Sequence, residues 1–307
     1  MPIYKQIDNK LIPIKEKKVS LEKTLQNLVE ANLSDVFGLS FVATEFALNN
    51  LRIDTLAFDE EAKAFVVIEY KRDKNFTVID QGYAYLALLL NNKADFVLKY
   101  NEKTKKNLRK DDIDWSQSKV MFVAQSFTKY QQEAIGFRDL PIELWEVKKY
   151  DEDLVSFNQV RASEKSESIK TVTKNKDIER VSREIKQYSV EDHIKPNWSK
   201  AKELFDEFSQ RVLELDPRFE IHPVKYYIGF NIENKNIVAV KVRTTKLLVE
   251  LWRVQPKDLK DPEKRTRYKK NSFEYYNKHI TEFDINSEDD IDYSMSLVKQ
   301  VYKSFTE

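Results

Sequence analysis

The stretch Arg52-Ile53-Asp54-Thr55-Leu56-Ala57-Phe58, then Asp59-Glu60-Glu61-Ala62-Lys63, then Phe65-Val66-Val67-Ile68-Glu69-Tyr70-Lys71 decides how this chain reads. Its flanks are β-branched and aromatic and its middle is charged, the pattern of two strands joined by a hairpin. A hairpin sets the start of its first strand beside the end of its second. Asp54 and Glu69, with fourteen residues between them, are therefore expected at one end of the sheet. Side chains two apart on a strand share a face, so Glu69 and Lys71 point together and Tyr70 points away. Glu69 closes the apolar run Ala64 to Ile68. A charge at the end of a central strand is costly unless it is paired or bound to metal.

Outward from this hairpin, residues 3–15 predict a small hairpin with Asp8-Asn9-Lys10 at its turn. Ser20 offers an N-cap, and Leu21, Leu25, Leu28, Val29 and Leu33 recur at helical spacing to about Val36, with Gly38 as a stop. Glu22 sits in that first turn, where a solvated acid is favoured by the helix dipole. Strands are expected near 41–47, 51–58 and 64–71. Asp80 reads as the cap of a helix from Gln81 to about Leu90 whose Tyr85, Leu86, Leu88 and Leu89 make it apolar on most sides, and so buried. Further strands are expected at 95–100, 119–125 and 141–149, with a helix near 128–135. The order gives an α/β (α+β) fold, a mixed β-sheet flanked by helices, over residues 1–150.

Residues 151–195 read as a polar, partly helical linker: Ser163, Ser166 and Ser168 alternate with Lys165, Lys170, Lys174 and Lys176, and 177–189 has helical character. A second, smaller α+β domain is expected over 196–307. Its helix is marked by Trp198, Leu204, Phe205, Phe208, Val212 and Leu215 and ends at Asp216-Pro217. Strands follow at 219–232, 236–243, 246–254 and 279–285, with a closing helix from about Glu288 to Phe305.

Composition narrows the chemistry. The 307 residues hold 52 basic and 51 acidic side chains, so any nucleic-acid binding must come from local patches rather than a global field. Hydrophobic content of 41% and aromatic content of 12% predict a packed core, not disorder. The absence of cysteine removes disulfides, thiolate metal sites and cysteine nucleophiles. His193, His222 and His279 are scattered without metal-ligand spacing, which argues against zinc. With no signal-peptide core and no apolar run of membrane-spanning length, a cytoplasmic protein without membrane contact is expected.

Phosphodiester hydrolysis needs an activated water and stabilisation of phosphate charge, and a Mg²⁺ held by one or two carboxylates supplies both. Asp54 and Glu69 are the candidate ligands, with the Tyr70 carbonyl as a third and Mn²⁺ as a substitute ion. Lys71 would steady the attacking hydroxide or a phosphoryl oxygen. Arg52, Arg72 and Lys74 lie close enough in sequence to contact flanking phosphates, although each is more often a solvated charge.

Asp54, the gap and Glu69-Tyr70-Lys71 resemble the motif of the PD-(D/E)XK nuclease superfamily, within its helix-strand-strand-strand-helix-strand order. Leu21 to about Tyr100 is similar to the catalytic domain of NucS/RecB-type nucleases. The resemblance implies a restriction-endonuclease-like core and a metal-dependent nuclease acting on DNA in repair, restriction or defence. It implies a site role for an acid on the first core helix, here Glu22, and for a Gln with a Tyr one turn later, here Gln81 and Tyr85. Leu51 stands where the family often has Gly, which alters the local turn.

Residues from about 199 to 307 resemble a C-terminal domain of uncharacterised function that often accompanies nuclease-like domains. Between Arg253 and Lys270, eight basic residues stand against three acidic ones. Arg265, Arg267, Lys269 and Lys270, followed by Phe273, Tyr275 and Tyr276, read either as a backbone-tracking patch with stacking rings or as a solvated loop. The competing reading of the whole chain is a catalytically inactive nuclease-fold module that binds nucleic acid or regulates a partner. A third places an effector sensor in 196–307. RNA as an alternative to DNA, and a homodimer, stay open as partners.

Overall fold

The computed structural model describes residues 2–17, 22–71, 77–135, 140–160, 181 and 184–306. Arg72, Lys74, the N-cap candidate Ser20 and the connector residues Ser163 to Lys176 lie outside them. The chain divides into two compact units, Met1–Asp59 with Lys63–Lys186, and Glu60–Ala62 with Gln187–Glu307.

In the first unit, β1 (Ile3–Ile7) and β2 (Lys10–Ile14) form a separate hairpin. The larger sheet is built, among the described residues, from β3 (Glu16–Lys17), β4 (Ser40–Leu48), β5 (Leu51–Asp59), β6 (Ala64–Lys71), β7 (Lys119–Ala124), β8 (Ile142–Tyr150) and β9 (Val155–Val160). Their order is β3-β8-β7-β6-β5-β4, and β9 pairs with β8. β6–β7 and β7–β8 are parallel and the other pairs antiparallel, which makes the sheet mixed. β6 sits at its centre and is buried from Ala64 to Tyr70, as expected of a strand covered on both faces.

Helices α1 (Glu22–Ala31) and α2 (Leu33–Phe37) cover one face, where Leu25, Val29 and Phe37 meet Val66, Ile68, Met121 and Val123. Helices α3 (Val78–Asn91) and α4 (Lys93–Thr104) cover the other, where Leu86, Leu89, Phe96 and Tyr100 meet Phe65, Val67, Val120 and Phe122. A short helix α5 (Lys129–Ala134) begins with a capping box between Thr128 and Gln131. Gly38 ends α2 in the left-handed conformation, φ 69°, which glycine adopts without a Cβ penalty.

The structure corrects several expected elements. Residues 95–100 are helical, within α4. Phe96 and Tyr100 lie one turn apart and buried while Leu98 between them is exposed, a helical and not an alternating pattern. The helix expected from Gln81 starts at Val78 with Thr77 as its N-cap, and Asp80 lies inside its first turn. The first helix breaks at Asn32 into α1 and α2. Residues 155–160, assigned to the linker for their polarity, form the strand β9. Val181 and Ile185 join the first unit's core, while Val190 and Ile194 pack on the second's.

The second unit is one antiparallel sheet in the order β10-β11-β12-β13-β15-β14. Its strands are β10 (Glu220–Val224), β11 (Tyr227–Ile232), β12 (Lys235–Val242), β13 (Leu247–Trp252), β14 (Arg267–Tyr268) and β15 (Ile280–Ile285). The strand expected over 219–232 is thus a hairpin, turning tightly between paired Val224 and Tyr227; no glycine or asparagine in Lys225-Tyr226 marks that turn. Helices α6 (Ser199–Leu213) and α8 (Asp289–Thr306) bury Phe205, Phe208, Leu297 and Val298 against one sheet face, and α7 (Ser272–Tyr276) precedes β15. The protein is therefore a mixed α+β fold, a helix-flanked mixed sheet with an additional sheet unit. Among the described residues no helix is long and apolar enough to cross a membrane.

Candidate active site

The β5–β6 ladder is in register from Asp59↔Ala64 to Thr55↔Ile68 and stops there. Asp54 and Glu69 are the next residues on each strand. Where the ladder ends, the Asp54 side chain replaces it: Oδ2 accepts the Tyr70 backbone N–H at 3.0 Å. This bond holds the carboxylate against the backbone beside Glu69. Glu69 follows Phe65 and Val67 on the α3 face, and Tyr70 follows Val66 and Ile68 on the α1 face.

Glu69 is 5% exposed. Its Oε1 accepts from Lys71 Nζ at 2.9 Å and from Gln81 Nε2 at 3.3 Å. Its Oε2 is buried outside ordinary hydrogen-bond geometry with the described residues, although the Tyr85 hydroxyl lies near enough to Glu69 to lower its pKa. Burial pushes the Glu69 carboxyl above the usual range, and the Asp54 charge pushes it further. Burial likewise raises Asp54, against the Tyr70 N–H and the Lys71 charge that lower it. Two carboxylates that repel each other in a partly dry site suit a hard dication, which needs anionic oxygens and keeps waters for its other positions.

Gln81 is delivered by α3, whose close approach to the sheet depends on Gly82. A Cβ there would come within 2.4 Å of Ile142 Cδ1. Tyr85, one turn on, donates to the Arg52 carbonyl at 3.1 Å. At 4% exposure Tyr85 offers no ring for a nucleic acid to stack on; it pins α3 to β5. Glu22, exposed at the start of α1, adds to the negative field that raises Asp54. It does not complete a three-acid cluster, and among the described residues no such cluster exists.

Arg52 is paired with Glu45 at 2.8 Å, and Lys23 reaches the same acid at 3.0 Å. The basic patch of the second unit is largely neutralised where it stands. Arg265 pairs with Glu263 and Asp290, Arg267 with Glu282 and Asp284, and Lys269 with Glu250. Lys270 is exposed. A continuous backbone-tracking stripe is therefore not what the fold makes of these residues, because acids from neighbouring strands and α8 cross into the run.

Sequence reasoning missed the layer beneath the site. Gln26 is 3% exposed and donates to the Asp54 carbonyl at 2.8 Å and to Thr44 Oγ1 at 3.0 Å. Thr55 donates to Glu30 at 2.6 Å, and its hydroxyl lies 3.2 Å from the Tyr70 hydroxyl. These groups fasten α1 to both strands at the point where the acids emerge. One signal was available: Gln26 is a polar residue between Leu25 and Val29 on the apolar face of its helix.

Comparison with known proteins adds three findings. Residues 190–304 match a family described as a domain of unknown function, DUF5655. Two solved structures are similar over part of the chain, at 18% identity each. "Crystal structure of a repair endonuclease from Pyrococcus abyssi" covers 43% of this chain and 50% of its own, with a TM-score of 0.26. "Structure of EndoMS-dsDNA2 complex" covers 42% of this chain and 47% of its own, with a TM-score of 0.25. A Haemophilus influenzae protein described as uncharacterized is 41% identical over 305 residues, 99% of this chain and 100% of that one. Identity of that degree along the whole length places the two in one family, and the chain belongs to the family of that Haemophilus influenzae protein.

Proposed function

We propose that the first unit is a Mg²⁺-dependent nuclease that hydrolyses DNA phosphodiester bonds. The observation that carries this reading is the half-buried Asp54 beside the buried Glu69, with Lys71 and Gln81 sharing one Glu69 oxygen. Asp54 and Glu69 would hold the cation, with the Tyr70 carbonyl as a third donor. Bound there, a divalent cation supplies charge stabilisation at the phosphoryl oxygens and a water acidic enough to attack at neutral pH.

The remaining chemistry falls to the chain's own groups. Lys71 is half-buried beside Glu69 and would hold the attacking oxygen or a phosphoryl oxygen through a charge-assisted hydrogen bond. Gln81 fixes the Glu69 rotamer, and Asp54 is fixed by the Tyr70 N–H. Glu22 would act through its field on the same water shell. Preorganised charge of this sort is the dominant contribution to phosphoryl chemistry. The motif resemblance favours DNA as the polymer cut.

Purified full-length protein is expected to nick or degrade at least one of single-stranded, duplex, flapped or modified DNA with Mg²⁺ or Mn²⁺. EDTA and Glu69→Ala should each abolish cleavage, by about 10³-fold or more for the substitution. Mn²⁺ uptake by calorimetry, lost on Glu69→Gln, tests the ligand assignment separately. Uptake without cleavage of any substrate would favour the non-catalytic binding module; neither uptake nor cleavage would remove the nuclease reading.

A further inference from the structure

Glu45 stands inside β4 with φ 49°. A glutamate in the left-handed region of a strand is a backbone outlier, and its strain has to be met elsewhere. The β4–β5 ladder pairs Thr44 with Thr55 and Phe46 with Ile53, so the residue set across from Asp54 is Glu45. From this kink the carboxylate reaches cations on two elements. Lys23 Nζ, on α1, donates to Oε1 at 3.0 Å. Arg52 Nε, on β5, lies 2.8 Å from Oε2. Together they hold the Glu45 carboxyl below the usual range.

Stability does not account for this arrangement. The Lys23 and Arg52 side chains are 55% and 68% exposed, and ion pairs so open to water contribute little. Two cations share one anion, which leaves a positive charge in excess. A carboxylate bridging a lysine and an arginine sets its oxygens where a phosphate group could set its own. Arg52 precedes Asp54 by two residues on β5, so an anion held there flanks the proposed metal ligand. Lys23 also donates to Gln26 Oε1 at 3.0 Å, which keeps the ammonium in place when Glu45 leaves. Both cations meet solvent directly, and a phosphate reaches them without entering the core.

We propose, resting on the reading of the first unit as acting on DNA, that Lys23 and Arg52 clamp a DNA backbone phosphate beside the cut site and that Glu45 fills this clamp in the free protein. On binding, phosphate oxygens accept from the Lys23 ammonium and from the Arg52 guanidinium, whose planar fork matches them. Glu45, repelled by the phosphate, gives up both cations and turns to solvent. Each cation stays neutralised throughout. Glu45 thereby sets a threshold, because only an anion that satisfies both cations displaces it.

Fluorescence anisotropy of labelled duplex DNA with the full-length protein, in EDTA at neutral pH across a salt series, reads binding apart from cleavage. Lys23→Met and Arg52→Met should each weaken binding by about fivefold or more at about 0.1 M salt, and reduce the slope of log affinity against log salt by about 1. Glu45→Gln should tighten binding by about fivefold or more, since both cations are then free. Glu152→Gln frees the exposed Lys5 and changes net charge equally; it should leave the affinity unchanged. Glu45→Asn, suited to a left-handed backbone, repeats the measurement should Glu45→Gln fold poorly. Glu45→Gln binding no tighter than Glu152→Gln, an undiminished salt slope in either cation variant, or no DNA binding at all overturns the clamp. Cleavage by the wild-type protein with unchanged binding in these variants removes the clamp alone. The expected binding shifts without cleavage of any DNA remove the nuclease reading alone.

Discussion

A buried carboxylate beside a second carboxylate holds its proton more tightly than an exposed one. Asp54 is half-buried, partly desolvated, and feels the charges of Glu45 and Glu22 as well. The native state therefore binds a proton at Asp54 more readily than the unfolded chain does. In metal-free solution this group costs stability above its folded pKa, and the cost vanishes as the pH falls below its unfolded pKa. Asp54→Asn keeps an oxygen for the Tyr70 N–H. It is expected to stabilise the metal-free protein by about 1 kcal/mol at neutral pH, with the gain closing below about pH 4. Urea melts in EDTA at the two pH values check it; a gain that persists at low pH would contradict the burial argument. Gln26→Ala has the opposite sign. It strips the Asp54 carbonyl and Thr44 of a buried donor, at a cost of about 1–3 kcal/mol, measurable in the same melts.

At the scale of elements, the site depends on how closely α3 lies on β8. Gly82 in a helix interior forgoes about 1 kcal/mol relative to alanine. A methyl there would overlap Ile142 at 2.4 Å from Cδ1 and 2.9 Å from Cγ1. Ile142 is 4% exposed and has little room to give. Overpacking of this kind costs about 1–3 kcal/mol, so Gly82→Ala should destabilise despite its better helix propensity. It should also lower the proposed nuclease activity by displacing neighbouring Gln81. Adding Ile142→Val, which removes Cδ1, should recover part of both losses. A double variant no better than the single one would show that the overlap is not what the glycine avoids.

Across the whole molecule, each unit closes its own core. The second unit's core centres on Phe230, fully buried, with the rings of Phe205 and Phe208 each 6.3 Å away. Phe230→Ala should cost about 3–5 kcal/mol in that unit's unfolding. Mn²⁺ uptake at Asp54 and Glu69, measured by calorimetry under native conditions, should be unchanged. Loss of uptake in a variant that still shows its native circular dichroism would mean that the cation site draws on the second unit.

The sequence by itself determined the β5–β6 hairpin and the convergence of Asp54 with Glu69, because strand alternation and hairpin closure are local rules. The order of its helices and strands pointed to the helix-flanked mixed sheet. Residues 95–100 escaped it, since aromatic and aliphatic residues in so short a run suit either period and only the burial of Phe96 and Tyr100 chooses. Only the tertiary structure decided which charges stay available. Arg265, Arg267 and Lys269 look like a free basic run in the chain, yet apart from Glu263 their acids arrive from β13, β15 and α8. It alone placed Gln26 under Asp54 and buried Tyr85. Charge pairing and burial are set by residues distant in sequence, and no local pattern carries that information.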